Sequence, residues 1–257
     1  MRFRPCIDLH GGRVKQIVGS TLSDDPAQKP LTNFETDCSA AEFAAMYKAD
    51  NLSGGHVIML GPGNDEAAKA ALLAYPAGLH VGGGINPSNA KIYLDAGASH
   101  VIVTSYVFKD GQINWENLEA MTAAVGKNRL VLDLSCKKRD EKYWVVTDRW
   151  QNFTDVALSA ETFEKLSAYC DEFLIHAAHV EGMKKGVDTE CLALIATTCP
   201  IVSTYAGGAA SLKDLEDVRA FGKNRVDVTV GSALDIFGGE LAYRDVVAFC
   251  ASSVNQN

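Results

Sequence analysis

Leu79-His80-Val81-Gly82-Gly83-Gly84-Ile85-Asn86-Pro87-Ser88 reads as a short apolar strand, a turn without side chains, and the opening of a helix that runs to Asp95. The strand portion, Leu79–Gly82, shows no alternation of apolar and polar residues, as expected of a parallel strand covered on both faces. Pro87 suits the first turn of a helix, and Gly97 stands where a helix C-cap belongs.

The same unit recurs outward in both directions. Strand-like runs occur at Phe3–Leu9, His56–Leu60, Leu79–Gly82, His100–Thr104, Leu130–Leu134, Phe173–His176, Ile201–Thr204 and Val226–Val230. Helical stretches follow nearly all of them. Ser39, Asn114, Ser159, Asp188 and Ser211 are N-cap candidates, and Ser39-Ala40-Ala41-Glu42 has the capping-box spacing. Regular β-α alternation implies a parallel sheet with right-handed crossovers. Eight units, and no dinucleotide fingerprint, favour closure over an open sheet. The expected fold is α/β, a single (β/α)₈ TIM barrel, an architecture that typically takes about 250 residues; the chain has 257. Two inserts interrupt the pattern, at 10–37 and 135–158, each with extended segments (Arg13–Val18; Tyr143–Thr147). Both follow strands, on the face where barrels carry their active sites.

The two halves rhyme. Asp8 to Asp133 spans 125 positions, Gly83 to Gly207 spans 124, and Thr104 to Gly231 spans 127. A duplicated half-barrel, about 1–125 and 126–257, explains the three offsets together. Duplication would set Asp8 and Asp133 on opposite sides of one mouth. It would also place Gly83-Gly84 with Thr104-Ser105 across from Gly207-Gly208 with Gly231-Ser232.

Glycine turns let backbone N–H groups approach a phosphate, and a following helix adds its positive end. One such turn could be just a tight turn; two, each paired with a hydroxyl or glycine strand end, point to two phosphate sites. A carboxylate at the end of a buried strand serves as an ion-pair partner or loop cap, or as an acid-base group. Environment can push two such pKa values apart, giving one base and one acid. His10, His176 and His179 lie on the same face and would bind substrate, support an aspartate, or be structural. His56, His80 and His100 sit at strand beginnings and read as structural. Trp144 and Trp150 would stack on a flat heterocycle or pack the insert. Arg13 and Lys15 would serve a phosphate or remain solvated. Cys6 and Cys136 read as apolar fillers.

The formal charge of −8 and pI near 5.2 argue against nucleic-acid binding and require local donors for any anionic ligand. Seven scattered cysteines without C-x-x-C spacing suggest a reducing compartment. The histidines show no ligand spacing, so no metal is expected. No apolar run approaches a membrane span. The expected location is the cytoplasm, or a plastid if a transit peptide has been removed.

These residues carry a family resemblance. Cys6-Ile7-Asp8-Leu9-His10-Gly11-Gly12-Arg13-Val14-Lys15-Gln16, Gly82–Ile85, Val101–Ser105, Gly207-Gly208 and Val230-Gly231-Ser232-Ala233-Leu234 resemble the phosphoribosylformimino-5-aminoimidazole carboxamide ribotide isomerases of histidine biosynthesis over nearly the whole chain. His56–Gly61 looks like the eukaryotic branch. The resemblance implies an aminoaldose-to-aminoketose Amadori rearrangement of a small-molecule bisphosphate, without cofactor, in a chain expected to be monomeric. It matches Asp8 to the base and Asp133 to the acid. Bacterial members carry a threonine where this chain has Ala177, which leaves its supporting role to His176 or His179. The related cyclase and a catalytically silent phosphosugar sensor are the competing readings.

Overall fold

The computed structural model describes residues 1–17, 31–148, 150–180 and 186–254. Eight parallel strands form the frame: β1 Cys6–His10, β2 Gly55–Met59, β3 Leu79–Gly82, β4 His100–Val103, β5 Leu130–Asp133, β6 Glu172–His176, β7 Val202–Ala206 and β8 Val226–Thr229. Each hydrogen-bonds the next in chain order. Closure comes from the residues before β1: Phe3 bridges Val228 in parallel, and Arg4 N–H donates to the Val228 carbonyl at 2.8 Å. The chain is a TIM barrel. Helices α1 Ala40–Ala49, α2 Asp65–Ala74, α3 Ala90–Asp95, α4 Trp115–Val125, α5 Ala160–Ser167, α6 Thr189–Thr198, α7 Leu212–Phe221 and α8 Tyr243–Val254 alternate with the strands. None is long and apolar enough, among the described residues, to cross a membrane.

The caps act where the sequence puts them. Ser39, Asn114, Ser159, Asp188 and Ser211 each accept an N–H from the first turn, and Ser39 with Glu42 completes the capping box. One helix starts later than expected. The Asn86 carboxamide accepts the Ser88 N–H at 2.9 Å, and Asn89 accepts the Asn86 N–H at 2.9 Å. These local side-chain turns compete with helix, so α3 begins at Ala90 rather than at Pro87.

The first insert returns as an antiparallel strand, Arg13–Ile17, which pairs with β1 and with Thr32–Glu35. Val18 and the proline-containing stretch of this insert lie outside the described residues. The second insert is a three-stranded antiparallel sheet, Cys136–Arg139, Lys142–Thr147 and Asn152–Ala157.

Inside the barrel, Ile102, Val131, Leu174 and Ala206, with Ile58, form a small apolar cluster. Toward the strand beginnings the filling turns polar. Arg4, 1% exposed, pairs with Asp227 at 2.9 Å and Glu172 at 3.3 Å. The histidines are less scattered than the sequence suggests. Parallel register sets His80 opposite His100, and these two with Glu172 bring ligand-type atoms within 4.8 Å of one another. Two of the three residues are engaged. Glu172 faces Arg4, while the His100 ring nitrogens meet Ser99 Oγ at 3.1 Å and Asp171 at 3.2 Å. The cluster is therefore an ion-pair and hydrogen-bond plug rather than an open ligand set.

Candidate active site

At the opposite end, where the strands finish, lies a cavity of about 530 Å³. Its lining includes Asp8, Asp133, Gly83, Gly84, Thr104, Ser105, Gly207, Gly208, Gly231 and Ser232, together with Trp150 and His176. Residues drawn from β1, β3, β4, β5, β7 and β8 thus converge on one space, as strand ends do in a barrel of this kind.

The two acids are seated differently. Gly11 and Gly12, at φ +59° and +76°, reverse the chain after β1, and the returning strand brings Gln16 back over it. Buried Gln16 donates its amide Nε2–H to Asp8 Oδ2 at 2.8 Å. Asp133 instead accepts Ser135 Oγ–H on Oδ1 at 2.9 Å and Thr104 Oγ1–H on Oδ2 at 3.3 Å, and His176 Nδ1 stands 3.5 Å from Oδ1. Gln16 thus holds Asp8, and two hydroxyls with a neighbouring imidazole hold Asp133. The Gln16 contact escapes sequence reading because it depends on the antiparallel return.

The glycine turns are glycines for a steric reason. A Cβ on Gly83, at φ +99°, would lie 2.2 Å from the Met59 carbonyl oxygen; one on Gly208, at φ +77°, would lie 2.0 Å from that of Gly186. Only a residue without a side chain fits either place. The helices that follow are set back: α3 starts at Ala90 and α7 at Leu212. The turns, not the helix ends, thus provide the nearest backbone N–H groups.

The remaining candidates divide. Trp150 is half-buried at φ +65°, with its ring 6.1 Å from that of His176 and its carbonyl accepting Lys137 Nζ–H at 2.7 Å. Trp144 lies instead against Arg139, whose guanidinium is 5.3 Å from its ring, and packs the insert. Half-buried His10 is not among the lining residues. Nor are Arg13 and Lys15: Arg13 pairs with Glu35 and Asp37, and Lys15 reaches Glu35 at 3.3 Å. His179 bonds Asp188 at 2.8 Å at the start of α6, an acid that also takes the Tyr143 hydroxyl.

His56 reaches the cavity as well. Although near the start of β2, it lines the cavity, because inward residues of alternate strands sit at staggered heights. Burial first, then the charges of His176 and Arg4, push its pKa down from 6.5 to about 3, against the opposing pull of Asp133. The ring is neutral at pH 7. In the unfolded chain it takes a proton near pH 6.5, so its contribution to stability is complete above that pH and is lost as pH falls toward 3. The slope is about 1.4 kcal/mol per unit in that window. His80 is shifted the same way by burial and by His100. Urea titrations between pH 7 and 4 should show stability falling, with a shallower fall in His56→Gln. An equal slope in both proteins would contradict the burial account.

Comparison with known proteins gives this geometry a family. A profile described as "Histidine biosynthesis protein" matches residues 2–241. A chloroplastic 1-(5-phosphoribosyl)-5-((5-phosphoribosylamino)methylideneamino)imidazole-4-carboxamide isomerase of Medicago truncatula is 59% identical over 254 residues, covering 97% of this chain and 81% of the relative. Isomerases of the same name from Neurospora crassa (50% identical over 242 residues) and Saccharomyces cerevisiae (46% over 246) each align with 93% of this chain and 94% of their own length. Matched over residues 2–241 and through relatives such as these, the chain belongs to the histidine biosynthesis protein family.

Proposed function

We propose that the chain is an isomerase that converts the aminoaldose N'-(5'-phosphoribosyl)formimino-5-aminoimidazole-4-carboxamide ribotide to its phosphoribulosyl aminoketose, the reaction type named for its relatives. The observation that carries this reading is the meeting of Asp8 and Asp133 in one cavity flanked by both glycine cradles. Gly83-Gly84 with Thr104-Ser105 would hold one phosphate, and Gly207-Gly208 with Gly231-Ser232 the other. In a chain of net charge −8, these local N–H and O–H donors must supply the attraction. The matching offsets support a duplicated half-barrel, 1–125 and 126–257, as the origin of the pair.

Asp133 protonates the furanose ring oxygen, which opens the ring to a Schiff base. Asp8 then removes the C2 proton; the enolamine takes that proton back at C1 and gives its C2 hydroxyl proton to the ionised Asp133, forming the aminoketose. Every proton moved has a carboxylate to give or take it, so two aspartates suffice as general acid and base. Trp150, beside His176, offers a face for the imidazole carboxamide. The substrate is the one partner this reading requires, bound by a monomer. We place the reaction in the cytoplasm, with a plastid as the alternative.

Ala177 is fully buried and bridges Cys136, and its methyl group has nothing with which to hydrogen-bond the acid. His176 is placed to take the supporting role, and His179 is committed to Asp188. Removing a hydrogen-bonding group beside a charge costs about 1.5–3 kcal/mol, or roughly 10- to 100-fold in rate. His176→Ala should lower kcat by that factor and His179→Ala should not; equal turnover in wild type and His176→Ala would remove His176 from the reading. The reaction itself is tested by a spectroscopic assay with purified aminoaldose and no ammonia. Accumulation of the aminoketose supports the isomerase, whereas turnover only with added ammonia would point to the cyclase.

A further inference from the structure

Thr229, the last residue of β8, lines the cavity and is 7% exposed, yet its Oγ1 is buried with no hydrogen-bond partner among the described residues. A buried hydroxyl left unpaired is destabilising, and such groups in folded proteins ordinarily have a partner. Valine has nearly the same shape and would avoid that cost.

The barrel shows what packing alone accepts there. Thr229 precedes Gly231 by two residues, as Ile102 of β4 precedes Thr104. Ile102 also lines the cavity and belongs to the apolar cluster with Val131, Leu174 and Ala206. In register, Thr229 lies beside Ala206. The corresponding place on the other side of the barrel is aliphatic, and so is this neighbour. The hydroxyl at 229 is therefore not something the packing requires; its partner must come from whatever occupies the cavity.

We propose that Thr229 is a substrate-positioning residue that hydrogen-bonds the C3 hydroxyl of the ribosyl unit being rearranged, an inference that rests on the isomerase reading. A neutral donor and acceptor among apolar neighbours suits a sugar hydroxyl rather than a phosphate. In the assigned reaction the C2 hydroxyl becomes the carbonyl, the oxygen on C4 is the ring oxygen that takes the acid's proton, and C5 carries phosphate. The C3 hydroxyl alone takes no part and needs a partner of its own. Side chains two apart on a strand share a face, and a strand rises about 3.3 Å per residue. Thr229 therefore lies about 7 Å below the Gly231-Ser232 cradle, comparable to the reach from a C5 phosphate to the C3 oxygen.

The test compares wild type, Thr229→Val and Thr229→Ser on the aminoaldose and on its 3-deoxyribosyl analogue. On the parent compound Thr229→Val should lose roughly tenfold in kcat/KM, and Thr229→Ser should recover most of it. Wild type should lose a similar factor on the 3-deoxy analogue, where Thr229→Val should lose nothing further. Without ligand, Thr229→Val should melt no lower than wild type, since a structural hydroxyl would show the opposite. An equal loss on both substrates, or none on the parent, would overturn the contact while leaving the reaction assigned. Wild-type inactivity on the parent compound would overturn the reaction and this inference with it.

Discussion

Asp8→Asn and Asp133→Asn should each lower turnover of the aminoaldose by about a thousandfold or more, with KM changed far less. Both substitutions keep the size of the side chain and a hydrogen-bonding oxygen, so Gln16 can still face position 8 and Ser135 and Thr104 position 133. What they remove is the ability to give or take a proton at that site. The glycine cradles are untouched, which is why binding should survive. Steady-state kinetics on both variants check this, together with thermal melts showing that they fold. If either variant keeps turnover within tenfold of wild type, that aspartate is not an acid-base group. A wild type without turnover, with ligand binding kept in Asp8→Asn, would favour the silent phosphosugar sensor.

Arg4→Leu should destabilise the fold by about 3–5 kcal/mol, the usual cost of removing one partner from a buried ion pair. For a domain of this size that corresponds to a melting temperature lower by about 6–20 °C. Arg4 joins β8 and β6 across the barrel through Asp227 and Glu172, and its Nη1–H donates to the Gly54 carbonyl at 3.2 Å. Asp227 would keep Arg2 at 2.9 Å, but Glu172 would be left buried without a cation. Differential scanning calorimetry measures the loss. Because this plug lies at the strand beginnings, away from the cavity, kcat measured well below the transition should stay near the wild-type value. An unchanged melting temperature would contradict the role given to Arg4.

The parts of this protein that read directly from its sequence are those set by local physics. Short apolar runs such as Leu130–Leu132 in a regular β-α alternation read as strands covered on both faces, and Ser39, Asn114 and Asp188 before helical stretches act as caps. Asp8 and Asp133, at strand ends, follow from the same reading, as do Gly83 and Gly208. What stayed hidden depends on strand register or on a chain reversal. His80 and His100 are 20 positions apart in sequence but adjacent in space because β3 and β4 are in register. Gln16 reaches Asp8 only through the turn at Gly11-Gly12. Arg13 and Lys15 leave a phosphate role and a solvated one equally open in the sequence; that both pair with Glu35 depends on the next strand. His56 reaches the cavity from the start of its strand, and the stagger of a tilted barrel that brings it there is not written in any single strand.

The most direct measurement is a crystal structure of Asp8→Asn with the aminoaldose bisphosphate trapped in place. One phosphate should rest on Gly83, Gly84, Thr104 and Ser105, the other on Gly207, Gly208, Gly231 and Ser232, with the opened or opening sugar held between position 8 and Asp133. Both phosphates on the same side of the barrel, or a sugar out of hydrogen-bond reach of either acidic position, would contradict the account.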